Sequence, residues 1–367
     1  MEGILANSYY SGAGLLDIGL EMAGIKIQQS FEIDPIACAT QRLNFRHDIV
    51  QSDITQKLVR DELECHLMAA TYPCTKYAPI AAISGTLTGD DLFLHFFRHI
   101  AIRRPEMYIV ENVPGMKRFP VVMEAMSQLP GYYVKVFCPI NAIECGLPQD
   151  RKRLILIGSR RPFTWRKPEN TRQITLKEIL EDDPQVKITK SVINRLNGKY
   201  RDLPIISNPA TGDLAPTCVA HYSKDKSTTL VVDPNSDLID PRSKNRVRPW
   251  TSREYANLQG VPRSFKFAGT DNQMYKQVGN GVPVNMGIWL GTEANRYFGR
   301  KQREIGFERG AYITHHARTK STEEKILQAI SDLRQRKKLA SKVAVAKIVG
   351  ISREQVSRRY SHLFNAA

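Results

Sequence analysis

Short apolar runs broken by small or polar residues set the rhythm of the first half of the chain. Ile4–Tyr10 reads as an apolar strand that stops at Ser11-Gly12-Ala13-Gly14, and Leu15 to Ala23 follows as a helix, with Leu16, Leu20 and Ala23 at helical spacing and Gly24 as its stop. Strand, glycine turn and helix are the opening unit of nucleotide-binding α/β domains: the glycines let the backbone approach a ligand, and the helix N-terminus offers free N–H groups. Further strands are predicted at Gln28–Phe31, Ile49–Gln51, Leu67–Ala70, Met107–Val110, Tyr132–Cys138 and Leu154–Gly158. Leu92–Arg103 is predicted as an amphipathic helix whose Phe93, Phe96, Phe97 and Ile100 enter the core, with Pro105 beyond its end.

The pattern weakens after that. Phe163–Val247 is rich in Pro, Asn, Asp and Ser, with β-like pieces at Thr217–Ala220 and Thr229–Val232 and a helical candidate at Leu176–Leu180. Helical spacing returns at Arg253–Leu258, stopped by Gln259-Gly260, and Tyr275–Gly291 is expected to rejoin the first half. In the tail, Glu323–Arg336 carries Ile326, Ile330 and Leu333 at helical spacing. Val343–Val349 is a second helix, Gly350 a turn, and Arg353–Leu363 a third helix behind Ser352 as N-cap, with Gln355 completing a capping box.

Composition narrows the partners. The 367 residues hold 53 Lys plus Arg against 37 Asp plus Glu, a net charge of +16, which points to a polyanion. From His315 onward there are 12 Lys plus Arg against 4 acids, half of the excess in about a seventh of the chain. The six cysteines form no C-x-x-C pair, which argues against structural zinc and a disulfide framework and for a reducing compartment. No apolar run approaches the ~18–20 residues of a membrane span, so an intracellular, soluble protein is expected.

Candidate chemistry sits where strands end. Cys74 stands behind Pro73 after an apolar strand, where a cysteine is either a small buried hydrophobe or an outward-facing nucleophile. Glu32 and Asp53 close two strands, where acids accept from ribose hydroxyls or a purine amino group; a nucleoside bearing a cationic sulfonium suits them better than a dinucleotide. Glu111 tips an apolar strand before Asn112-Val113-Pro114-Gly115. Gln149, Arg151 and Arg153 alternate, putting both guanidiniums on one face of an extended segment.

Taken in order, Y-S-G-A-G, F-E-I-D, S-D-I-T, Y-P-C, E-N-V, Q-D-R-K-R, R-E-Y-A-N-L-Q-G-V-P and Y-K-Q-V-G-N-G-V-P-V resemble the DNA (cytosine-5)-methyltransferases over roughly Ile4 to Gly291. The resemblance implies an α/β fold: a Rossmann-like S-adenosylmethionine-dependent core and a small irregular target-recognition domain. Beyond its reach, Ala346, Gly350, Ile351 and Val356 make the all-α tail resemble a helix-turn-helix. The expected divisions are 1–162 and 248–299 for the catalytic domain, 163–247 for target recognition, 300–320 for a linker and 321–367 for the tail. By resemblance Cys74 is the thiolate that adds to C6 of a flipped-out cytosine, Glu111 holds N3, Arg153 pairs with O2, and Arg151 supports the thiolate or its loop.

The same resemblance gives S-adenosyl-L-methionine as cofactor. Tyr10, Ser11, Gly12, Gly14, Leu15, Glu32, Ile33, Asp53, Ile54, Pro73, Asn280 and Gly281 are expected to bind it. Double-stranded DNA is the implied partner, with no metal and no membrane, in a monomeric cytoplasmic protein of bacterial, archaeal or phage origin, nucleoid-associated and serving a restriction-modification or epigenetic system. Lys76, Ser84, His221, Lys224, Arg246 and Arg248 are expected at the DNA, with Tyr222 and Lys226 as further candidates. In the tail, Arg353, Gln355, Ser357 and Arg358 would face the major groove, either adding affinity or repressing the protein's own promoter; a plain three-helix bundle packed on the enzyme is the alternative. Two departures stand out: Thr75 replaces the usual Gln after Pro-Cys, and Asp90-Asp91 replace an arginine before the Phe-rich helix. A tRNA cytosine-C5 methyltransferase and a non-catalytic DNA-binding regulator are the competing readings.

Overall fold

The structure is a computed structural model that describes residues 3–73, 92–169, 172–202, 204–336 and 339–364, with side chains except at 300–321, 355, 358–359 and 362. Cys74, Lys76 and Ser84 lie outside the described residues.

Seven strands form one sheet: β1 (Leu5–Tyr9), β2 (Lys26–Glu32), β3 (Asp48–Gln51), β4 (Leu67–Ala70), β5 (Met107–Asn112), β6 (Tyr133–Asn141) and β7 (Lys152–Ser159), in the order β3-β2-β1-β4-β5-β7-β6. β1 to β5 are mutually parallel, and β7 runs antiparallel to both β5 and β6. Every residue of β4 and β5 is buried, as central strands covered on both faces require. The chain order reverses between β1 and β4, and in open α/β sheets that switch point is where ligands bind, beyond the carboxyl ends of the strands.

The predicted elements fall in place with small shifts. The first helix spans Leu15–Met22, and Leu92–Arg103 is a helix burying Phe93, Phe96 and Ile100 against Tyr9, Met68 and Val110 of the sheet. The helix that starts at Val284 crosses the first helix backbone to backbone: a Cβ on Gly19 would lie 2.2 Å from the Val284 carbonyl oxygen and 2.6 Å from Gly287 Cα. That crossing returns the last part of the catalytic region to the glycine turn.

A smaller sheet, β8 (Ile205–Ser207), β9 (Thr229–Val232) and β10 (Val247–Pro249), in the order β10-β9-β8, packs on Val192 and Leu196 of the helix Lys190–Asn197. Thr217–Ala220, expected as β-like, is not a strand. Its backbone groups are taken by side chains instead: Gln149 accepts from the Cys218 N–H, Arg151 donates to the Cys218 carbonyl, and the Tyr255 hydroxyl accepts from the Val219 N–H.

The chain divides into two compact units, Met1–Tyr297 and Phe298–Ala367. The helix Val284–Gln335 covers residues 300–320, where a linker was expected. The second unit then holds the helices Lys342–Val349 and Arg353–Arg359 and a short 3-10 turn, Ser361–Phe364, around Ile326, Ala329, Ile330, Val345, Tyr360 and Leu363. The last helix stops before the predicted Leu363. The Ser361 hydroxyl donates to the Ser357 carbonyl, the acceptor that the next helical N–H would use.

Candidate active site

β1 runs into a turn in which Tyr10, Gly12 and Gly14 all have positive φ, at 53°, 56° and 80°. Glu32, at the end of β2, organises that turn. One carboxylate oxygen accepts the Gly12 N–H at 2.7 Å, and the other accepts the N–H groups of Ile33 and Asp34 at 2.9 and 2.8 Å. A Cβ on Gly12 would meet nothing within 4 Å, so the turn opens outward there, whereas one on Gly14 would lie 2.5 Å from the Phe45 ring. Ile33 leaves 61% of its surface exposed beside Glu32, an apolar face without full cover among the described residues. Just past β3, Asp53 accepts the Thr55 N–H at 2.9 Å, and its hydrogen bonds from Thr55 hold the carboxyl below its ordinary range.

Other expected cofactor residues support this rim. Tyr10 is half-buried, its hydroxyl donating to the Leu92 carbonyl at 2.9 Å and its ring edge-on to Tyr72 at 6.1 Å. The Ser11 N–H is held by the Phe31 carbonyl at 3.2 Å. Leu15 and Ile54 are buried beneath, and Pro73 is exposed. Asn280 is exposed at the end of the helix Asp271–Asn280, and a Cβ on Gly281 would lie 2.4 Å from the Leu15 side chain. The long-range fold thus brings 280–281 to the first turn.

Sequence reasoning passed over Gln41. Its amide nitrogen donates to the Ser11 hydroxyl at 2.8 Å and to the Gly12 carbonyl at 2.7 Å, and its oxygen accepts the Ser30 hydroxyl at 2.6 Å. The glycine turn is therefore tied from behind to the helix Pro35–Asn44. Nothing in the local pattern marks this glutamine, which shares the buried face of its helix with Ala37, Cys38 and Thr40.

On the other side of the switch point, Glu111 at the end of β5 is 6% exposed. Arg153 of β7 meets it, Nε to Oε1 at 2.8 Å. Burial pushes the Glu111 carboxyl above its ordinary range, while Arg153 and Arg151 pull it back. Arg151 does not share this face. It is 1% exposed, and its guanidinium donates to the carbonyls of Cys218, Gly279 and Gly281, the last two at 2.9 and 2.8 Å. It pins the connection between β8 and β9 and the C-terminal end of the helix Asp271–Asn280 onto the core. Asn112, part of the E-N-V motif but given no role from the sequence, donates to the Tyr72 carbonyl at 3.2 Å.

Two expected DNA contacts are corrected. Arg248 is 3% exposed, with a bidentate pair to Glu254 at 2.8 and 2.7 Å and a further bond to Asp233. Its charge is consumed inside the protein and cannot reach a phosphate. Tyr222 is buried too, stacked on Tyr255 with centroids 4.9 Å apart and its hydroxyl donating to the Thr229 carbonyl. His221, Lys224 and Arg246 are exposed, while Lys226 is engaged by Asp271 at 3.3 Å. Among the described residues no cluster of His, Cys, Asp and Glu could hold a metal, and no helix is long and apolar enough to cross a membrane.

Residues 7–295 match the C-5 cytosine-specific DNA methylases. The chain belongs to that family. Among the methylase's curated relatives are the type II methyltransferase M.NlaX of Neisseria lactamica, 30% identical over 75% of this chain and 91% of the relative, and M.PspPI of a Psychrobacter species, 28% identical over 81% and 80%. Its fold is shared with a solved methyltransferase of Entamoeba histolytica (TM-score 0.68, 19% identity, 81% of this chain and 99% of that one) and with the Dnmt2 methyltransferase of S. pombe (TM-score 0.64, 18% identity, 80% and 99%). The matched span ends just before the second unit of the methylase begins.

Proposed function

We propose that this methylase methylates C5 of cytosine in duplex DNA, with S-adenosyl-L-methionine as cofactor and Cys74 as nucleophile. The observation that carries the reading is the buried Glu111–Arg153 pair at the carboxyl end of β5, joined through Asn112 to the segment that leads into Pro73-Cys74.

The cofactor side fits a nucleoside. Gly12 leaves open space above the turn, Glu32 presents a carboxylate already oriented by three N–H groups, Ile33 offers an uncovered apolar face, and Asp53 supplies a second acid at the adjacent strand end. Glu32 would hold the ribose hydroxyls, Ile33 the purine face, and Asp53 the purine amino group. S-adenosyl-L-methionine, when bound, supplies the methyl group as an electrophilic sulfonium.

On the catalytic side, the Cys74 sulfur adds to C6 of a cytosine taken out of the stack, which makes C5 nucleophilic. Burial favours the proton-bearing form of Glu111, suited to donating at cytosine N3 as the thiolate adds. Arg153, paired with Glu111, would stabilise charge at O2 while fixing the Glu111 carboxyl. Once C5 carries the methyl group from the sulfonium donor, which would leave as its thioether, loss of the C5 proton to water or hydroxide breaks the Cys74–C6 bond and restores the C5–C6 double bond. The relatives' type II methyltransferase names make the modification half of such a system the proposed setting.

Duplex DNA carrying 5-fluorocytosine tests this: the protein with S-adenosyl-L-methionine should form a denaturant-resistant complex that Cys74→Ala does not. Nucleoside mass analysis should show 5-methylcytosine in DNA and none in tRNA treated in parallel. Methylated tRNA with unmodified DNA would overturn the substrate assignment, and a complex retained by Cys74→Ala would overturn the nucleophile.

A further inference from the structure

We infer that the second unit docks on duplex DNA through the outer face of the helix Arg353–Arg359, as a contact separate from the catalytic site. The unit has its own core around Ile326, Ile330, Val345, Tyr360 and Leu363, the helix Arg353–Arg359 buries Val356 fully, and the two short helices lie in contact. Between them the chain turns at Gly350, whose φ of 74° suits glycine. The N–H groups of Gly350 and Ile351 both return to the Ala346 carbonyl, at 3.0 and 3.1 Å. Two helices joined by a short glycine turn is the geometry that presents the second helix to a groove.

Packing decides which face of that helix is available. Val356 and Tyr360 point inward, which leaves Arg353 exposed and Ser357, one turn later, half-exposed on the other side. Lys347, on the preceding helix, is also exposed. From His315 onward the chain carries 12 Lys plus Arg against 4 acids, so the partner is a polyanion. Duplex DNA fits better than duplex RNA. An α-helix, about 10–12 Å across with its side chains, fits a B-form major groove about 12 Å wide, whereas the A-form major groove is too narrow for side chains to read.

The test uses the full chain and a short duplex made only of A·T pairs, which contains no cytosine and so no target base. Binding is followed by fluorescence anisotropy across a salt series. The variant Arg353→Glu with Lys347→Glu should lose about tenfold or more in affinity, and its log–log salt slope should flatten by about 0.9 for each phosphate it no longer neutralises. Its melting temperature, and its single-turnover rate on saturating cytosine-containing duplex, should match those of the wild type. Because anisotropy needs no methyl transfer, it reads this face even if the catalytic reading fails. Unchanged affinity and salt slope in the folded variant would overturn the inference. So would a loss confined to RNA, or an altered sedimentation state without altered DNA binding.

Discussion

The Asn112 side-chain amide donates to the Tyr72 carbonyl oxygen across 3.2 Å, while its own oxygen accepts the Val113 N–H at 2.8 Å. One side chain thus locks the end of β5, next to Glu111, to the peptide that precedes Pro73. Replacing it with Ala removes the donor and leaves the Tyr72 carbonyl without that partner, at about 1–3 kcal/mol. The larger effect is expected on chemistry: an ångström of freedom between nucleophile and acid costs on the order of 100-fold in rate. Asn112→Asp keeps the acceptor for Val113 but loses the donor, so it should be nearly as slow. Single-turnover methylation with cofactor affinity measured alongside checks this; wild-type rates in both variants would rule it out.

Gln41 ties down the glycine turn proposed to hold the cofactor. Gln41→Leu keeps the volume but removes both bonds to Ser11 and Gly12. The expected result is about a tenfold rise in KM for S-adenosyl-L-methionine, equivalent to one ordinary hydrogen bond, with KM for DNA unchanged. Gln41→Glu retains the acceptor for Ser30 but not the donor, and should resemble Leu rather than the wild type. Calorimetric titration with S-adenosylhomocysteine gives the same answer without turnover.

Asp17 lies fully buried in the first helix, accepting the Ser8 hydroxyl at 2.6 Å. Burial pushes its carboxyl up to about 6, with Ser8 and His47 opposing and Glu21 adding to the rise. The folded value therefore exceeds the unfolded one, near 3.9, and the native state holds the proton more tightly. Its contribution to stability is complete below about pH 4 and is lost as pH rises through about 6. Relative to Asp17→Asn, the wild type should lose on the order of 3 kcal/mol across that window, measured by urea unfolding at stepped pH. A difference that does not change with pH would mean that Asp17 does not titrate there.

Arg248 separates an internal ion pair from a DNA contact. Arg248→Met should destabilise the protein by about 3–5 kcal/mol, because it strands the fully buried Glu254 without its guanidinium. Arg246→Met, at an exposed position, should cost little stability. The salt slope of DNA binding, measured on whichever variants remain folded, should be unaltered by the first substitution.

Much of this protein was written locally. The strand–turn–helix opening, Glu32 and Asp53 at strand ends, the Phe-rich helix and the Glu111 strand tip all follow from apolar periodicity and turn chemistry within a dozen residues, and the ordered motifs identified the family. What the chain alone could not settle is what each polar side chain meets across the fold. Arg151 and Arg153 alternate along one segment, yet one reaches carbonyls 67 and 130 residues away while the other meets Glu111. Arg246 and Arg248 stand two apart, yet one is exposed and the other is enclosed by carboxylates. Those outcomes depend on β7 entering between β5 and β6 and on the return of the chain near 280 to the first turn. A charged side chain carries no mark of its partner; burial supplies one, and burial exists only once distant segments have packed.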